Sequence, residues 1–143
     1  MNAFTQVIPP GMTAYYYQWH IAPAVVVDNL VMCSGVLGTD ASGKVPEDLD
    51  GQFAAAFENL RHVLRAAGAD LSDVVDMITF HCDLEADLAA FTAVRDRYLS
   101  EPWPAWTAIG VAQIGAGLPG ARVEMKATAR LPARETGHIR DSR

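Results

Sequence analysis

The chain predicts an α+β domain in which one mixed β-sheet is covered on one face by two helices. Three observations carry that expectation. Short runs rich in β-branched and aromatic residues, bounded by Pro and Gly, alternate with two long stretches of helical periodicity. Their order is strands, helix, strand, helix, then two strands, and a single helical layer over a single sheet satisfies it. No repeat, low-complexity tract or compositional break divides the 143 residues, half of which are hydrophobic and 20% charged, as in a globular domain large enough for its own core. One domain is expected over residues 1–132, followed by a polar, charged tail over 133–143.

Phe4 to Ile8 reads as a first strand, stopped by Pro9-Pro10-Gly11. The aromatic run from Tyr15 to His20 prefers extended backbone. Ala24 to Ser34 is apolar apart from Asp28-Asn29, which predicts two strands joined by a tight turn. Gly38 to Gly43 is a polar turn. Phe53, Phe57, Leu60, Leu64 and Ala67 recur at helical spacing, with Asp48 or Asp50 to cap the start and Gly68 where a terminating glycine belongs. Burying those side chains contributes on the order of 10 kcal/mol before chain entropy is counted. Val74 to Cys82 is a strand, and Leu84, Leu88, Phe91, Val94 and Tyr98 mark a second amphipathic helix. Pro102 and Pro104 end it, a strand follows from Ala105 to Ile114, and a last strand runs from Ala121 to Leu131 after the turn at Gly115 to Gly120.

Composition excludes several classes. The net charge is −6, Lys and Arg are scattered, and the only dense basic group is Arg130, Arg134, Arg140 and Arg143, so no contiguous positive surface for nucleic acid is expected. No basic-then-apolar leader is visible, and Ala22 to Val27 and Leu30 to Cys33 are too short to cross a bilayer, so a cytoplasmic protein without membrane contact is expected. Cys33 and Cys82 lie in apolar runs and are expected to be buried, reduced thiols. His62 is expected on the exposed side of the first helix, His81 ends a strand, and His138 is in the tail; no His, Cys or carboxylate spacing matches a metal site. Gly38 to Gly43 lacks a P-loop lysine and Rossmann spacing, and Cys33-Ser34-Gly35 is no nucleophile elbow, so neither a cofactor nor covalent catalysis is expected.

Three features remain for chemistry. Glu124 interrupts an apolar strand, and at period two it shares a face with Arg122 and Lys126. The pattern alone fits either a solvated charged face or a functional carboxylate. Trp106 shares its strand face with Ala108, Gly110 and Ala112, and a bulky ring beside small residues is either a core or interface tryptophan or a stacking wall for a flat ligand. The aromatics from Tyr15 to His20 either pack an assembly seam or reach a pocket.

Pro104-Ala105-Trp106-Thr107 and Val123-Glu124-Met125-Lys126, with Cys33-Ser34-Gly35, Gln52, Glu58-Asn59-Leu60 and Ala67-Gly68, together resemble the RidA/YjgF family, small trimeric enamine/imine deaminases formerly called endoribonuclease L-PSP proteins. The resemblance covers roughly Ala22 to Leu131. It implies a chorismate-mutase-like fold and a homotrimer with small-molecule pockets between subunits. It implies that Glu124 lines the pocket, positions the attacking water and serves as general acid/base; burial among apolar groups favours the protonated form of a carboxylate, which suits proton transfer. It places Gly35 where the backbone runs close to the site, Thr92 where relatives often have asparagine, and Ala108 where many have cysteine. It also brings a tyrosine from the N-terminal segment over the pocket, so that Tyr17 or His20 is expected to supply a hydroxyl or imidazole near Glu124.

At Trp106 the family's usual residue is an arginine that grips the substrate carboxylate, so the chain resembles a subgroup lacking it. An indole offers one N–H and no charge, and an unpaired carboxylate in such a cleft costs several kcal/mol. Short imino acids of the 2-iminopropanoate type are therefore expected to be poor substrates unless Arg122 or Lys126 supplies the missing cation. The expectation is an imine or enamine hydrolase for a neutral or aromatic substrate, with Glu124 catalytic and Trp106, Ala108, Tyr17, His20, Gly35, Thr92 and Arg122 lining the site. The alternative is a non-catalytic, small-molecule-binding trimer of the same fold.

Overall fold

The computed structural model describes residues 3–133. Its seven-stranded sheet runs in the order β1 (Thr5–Val7), β2 (Ala24–Val27), β3 (Leu30–Cys33), β7 (Val123–Arg130), β5 (Val74–His81) and β6 (Ala105–Gly110), with β4 (Val36–Leu37) also paired to β7. Every pair is antiparallel except β5 with β6, and α3 (Leu84–Tyr98) is the crossover that a parallel pair requires. Alternation along β7 defines the two faces. Val123, Met125, Ala127 and Ala129 are buried on the side of α2 (Leu49–Ala66), whereas Glu124, Lys126, Thr128 and Arg130 stand on the opposite, open face.

The core lies between sheet and helices. Phe53, Phe57, Leu60 and Leu64 of α2 and Phe91 and Val94 of α3 are fully buried with Val31, Cys33, Met77 and Met125. Phe91 packs edge-on to Phe53 and stacks with Phe57 at ring separations of 5.5 and 5.7 Å, joining the two helices. The α2 limits follow the sequence signals. The Asp48 side chain accepts from the Gly51 N–H at 2.6 Å, and Gly68 adopts φ +88° just past the last turn, a conformation that costs glycine nothing.

Several expectations need correction. The Tyr15–His20 run is not extended: Thr13–Tyr17 forms a short helix, α1, and His20 turns the chain at φ +58°. The segment has no neighbouring strand, so its backbone bonds locally, with Gln18 N–H on Ala14 O and Ile21 N–H on Tyr15 O, both at 2.9 Å. Strand β6 ends at Gly110 rather than Ile114, and β7 begins at Val123, two residues later than expected. Cys33 is buried as expected, but Cys82 is exposed because it falls just beyond β5 in the turn that opens α3. On α3 Leu88 is exposed while Asp87 is buried, so this helix offers the core a narrower apolar stripe than its pattern promised. All of the predicted tail but residue 133, His138 included, falls outside the described residues.

Candidate functional site

On the open face, Glu124 is half-buried between its register partners Phe80 on β5 and Leu37 on β4. Its Oε2 accepts the Gly115 N–H at 3.3 Å. Its Oε1 lies against the backbone of Gly35, where an added Cβ would overlap that oxygen and stand 3.1 Å from Cδ. Glycine at 35 thus lets the carboxylate rest on the chain. Gly35, Phe80, Val111, Gln113, Ile114, Glu124 and Lys126 enclose a cavity of about 220 Å³. The Lys126 ammonium donates to the Cys33 carbonyl at 2.9 Å. Burial pushes the Cys33 thiol up to about 11, against the opposing pull of the Lys126 charge, so the sulfur is neutral at pH 7 and no nucleophile. A fixed carboxylate between apolar walls can hold a water and take up or deliver a proton.

Trp106 lies on the other face. Its register partner is Met77, which is buried under the helices, and its indole N–H donates to Thr79 Oγ1 at 2.8 Å. The ring meets Phe91 at 5.7 Å and carries the Arg95 guanidinium 5.0 Å above its centroid. Ala108, two residues on, shares this face by alternation, and Thr92 sits half-buried on α3 with its hydroxyl donating to Ala89 O at 3.1 Å. The predicted site residues therefore form two groups: Trp106, Ala108 and Thr92 on the helical side, and Glu124 and Gly35 on the open side. One chain does not bring the two groups together.

Arg122 is not a free pocket cation. It precedes β7, so the alternation that aligned it with Glu124 does not apply. Its Nε and Nη2 bond the Asp87 carboxylate at 2.9 and 2.7 Å, and Asp87 is 1% exposed. Gln52 holds the same loop, accepting from Arg122 N–H at 2.6 Å and donating to Gly120 O at 3.0 Å. Asp83 and Asp87, four residues apart at the start of α3, were the available sequence signal for a basic partner. Tyr17 and His20 are exposed and line neither this cavity nor the cleft beside Trp106. Arg95 escaped the sequence reading entirely, since nothing local marks an arginine that will stack on tryptophan. Among the described residues, no three His, Cys, Asp or Glu side chains gather closely enough to hold a metal ion.

Beside Trp106 lies a buried polar chain. Thr79 Oγ1 accepts from the indole and lies 2.7 Å from His81 Nε2, while His81 Nδ1 has no partner among the described residues. His81 is fully buried, and burial holds it below the ordinary histidine range, against a smaller upward pull from Asp87. The unfolded chain therefore takes up this proton first as pH falls. Stability is complete above about pH 6.5 and declines below it by up to about 1.4 kcal/mol per unit. Denaturant unfolding of wild type and His81→Leu at pH 7.5, 6.5 and 5.5 checks this: the slope should vanish in the variant. Asp70, lowered by the Leu71 N–H, and Asp40, lowered by the Ser42 hydroxyl, act only below about pH 4 and leave that window clear.

The sheet, its single helical layer and the glycine-backed carboxylate on the open face define a small α+β domain built around a carboxylate cavity. A family model described as Endoribonuclease L-PSP matches residues 13–131. The chain is 33% identical over 129 residues to the RutC family protein YjgH of Escherichia coli, covering 90% of this chain and 95% of that one. It is 38% identical over 109 residues to a 2-iminobutanoate/2-iminopropanoate deaminase of Capra hircus, covering 74% and 76%. A solved structure of Protein YJGH superposes with a TM-score of 0.81 at 30% identity, covering 93% of this chain and all of that one. The chain belongs to the endoribonuclease L-PSP family, also called RidA/YjgF, and has its fold. No helix among the described residues is long and apolar enough to cross a membrane.

Proposed function

We propose that the protein is a reactive-intermediate deaminase of the subgroup lacking the usual arginine, a cytoplasmic homotrimer that hydrolyses the C=N bond of a neutral or aromatic imine or enamine. Glu124 is the general acid/base: it takes a proton from the attacking water and returns one to the departing nitrogen. The observation that carries this reading is the Glu124 carboxylate seated on Gly35 and the Gly115 N–H beside the apolar side chains of Phe80, Val111 and Ile114. Deaminase-named relatives support the general class of reaction.

Two further observations support the assembly and the guest. Leu30, Met32 and Ile109 leave 38–42% of their surface exposed on the open sheet face, the apolar cover a second copy would bury. The two groups of site residues lie on opposite faces, and in the proposed trimer the pocket combines Glu124 from one copy with the Trp106 side of its neighbour. Trp106 and Trp103 then make an aromatic wall for a flat guest.

The test is turnover of aromatic and small aliphatic imines by wild type and Glu124→Gln. We expect the variant to lose at least about 100-fold in kcat while retaining its ligand, and the aromatic imine to be preferred. Efficient wild-type hydrolysis of a short aliphatic imino acid, lost in Lys126→Met, overturns the substrate assignment. Absence of turnover across the panel with binding unchanged in Glu124→Gln favours the non-catalytic binding trimer instead.

A further inference from the structure

We infer that Arg95 is a specificity residue, and that the cleft it shares with Trp103 and Trp106 takes a flat aromatic ring bearing a carboxylate. The cleft has a volume of about 180 Å³, room for one substituted ring, and is lined by Met77, Arg95, Leu99, Trp103, Pro104 and Trp106. Its floor is apolar, with Met77 and Leu99 at 2% and 6% exposure, while Trp103 at 52% is a large aromatic left open to the cleft. The Arg95 guanidinium lies 5.0 Å from the Trp106 ring centroid and 5.8 Å from that of Trp103, within cation–π reach of both indoles.

One edge of that guanidinium is engaged: Asp96 Oδ1 accepts from Nε at 2.9 Å and lies 2.8 Å from Nη2. The other edge, formed by Nη1 and the second Nη2 proton, has no acceptor among the described residues. A planar fork beside an aromatic wall matches a carboxylate attached to a ring. Asp96 offsets part of the charge, which favours a singly charged acid over a phosphate. The other candidate cations are placed differently, with Arg122 bonded to buried Asp87 and Lys126 on the opposite sheet face.

The inference keeps the aromatic half of the guest proposed above and revises the neutral half, since Arg95 supplies the cation that Trp106 lacks; it rests on that reading for its meaning in turnover, and its own test is binding. Benzoate and benzamide, equal in shape and different in charge, are titrated calorimetrically into the full-length protein. Wild type should prefer benzoate by about tenfold, the difference one charge-assisted contact makes. Arg95→Met and Arg95→Gln should reduce that preference to near unity, and Trp103→Ala should weaken both probes together. Arg95 and Trp103 reach the surface, and unchanged melting curves confirm that each variant is folded. No preference in wild type, a preference that survives both Arg95 variants, or loss of benzoate binding only in Glu124→Gln would overturn the inference. Turnover by Glu124→Gln tests the catalytic proposal separately.

Discussion

Replacing Arg122 by methionine is expected to cost about 3 kcal/mol of folding stability, because it leaves the Asp87 carboxylate buried without its partner. Asp87 is 1% exposed and meets the guanidinium through two bonds of 2.9 and 2.7 Å. Methionine retains the length of the stem but donates nothing. One check separates this from a packing effect. The double variant Arg122→Met, Asp87→Leu should recover most of the deficit, as apolar replacement of both partners of a buried pair often does. Chemical denaturation of the four proteins of the cycle measures it. A deficit below about 1 kcal/mol would mean that the half-exposed guanidinium contributes no more than a surface pair.

The ion pair also explains what the sequence could and could not convey. Helix α2 was legible because Phe53, Phe57, Leu60 and Leu64 repeat at a period set by backbone geometry, and Asp48 and Gly68 mark its ends by local chemistry. Alternation in β7 likewise placed Glu124 and Lys126 on one face. It failed at Arg122, where the strand had not yet begun, and no local rule reports that Asp87 lies within reach. The aromatic run at Tyr15–Tyr17 misled for a related reason. Strand preference measures how a side chain fits a sheet, and this segment has no sheet to join.

Trp106 and Glu124 show the same boundary. Alternation tells which residues of one strand share a face, but it carries no information on the relative parity of two strands. Only the register Trp106 to Met77 and Phe80 to Glu124, both read through β5, shows that the indole and the carboxylate point to opposite sides. Resemblance to the family supplied the candidates, and pairing through β5 sorted them into two halves. Arg95 was invisible because its role depends on Trp103 and Trp106, which follow it beyond the end of α3.

Two glycines should separate stability from activity. A methyl at Gly38 would collide with the Gln52 backbone carbonyl and stand 2.7 Å from its Cγ, inside the first turns of α2. Backbone cannot swing aside, so α2 must shift, and with it the Gln52 bonds to Gly120 O and Arg122 N–H. Gly38→Ala is therefore expected to lose about 3 kcal/mol, at the upper end of overpacking costs. The three atoms nearest a methyl at Gly35 all belong to the Glu124 side chain, the carboxylate oxygen first, and that flexible side chain can rotate away. Gly35→Ala should then melt within about 1 kcal/mol of wild type. Rotation takes Oε2 off the Gly115 N–H; under the general-base role proposed above it also takes the carboxylate out of line with the attacking water, and misplacement of that order would lower turnover about 100-fold. Melting curves and imine kinetics on the two variants decide the matter. An active Gly35→Ala would show that the seat of Glu124 on the backbone is incidental, whereas a stable but inactive one ties catalysis to the position of that carboxylate.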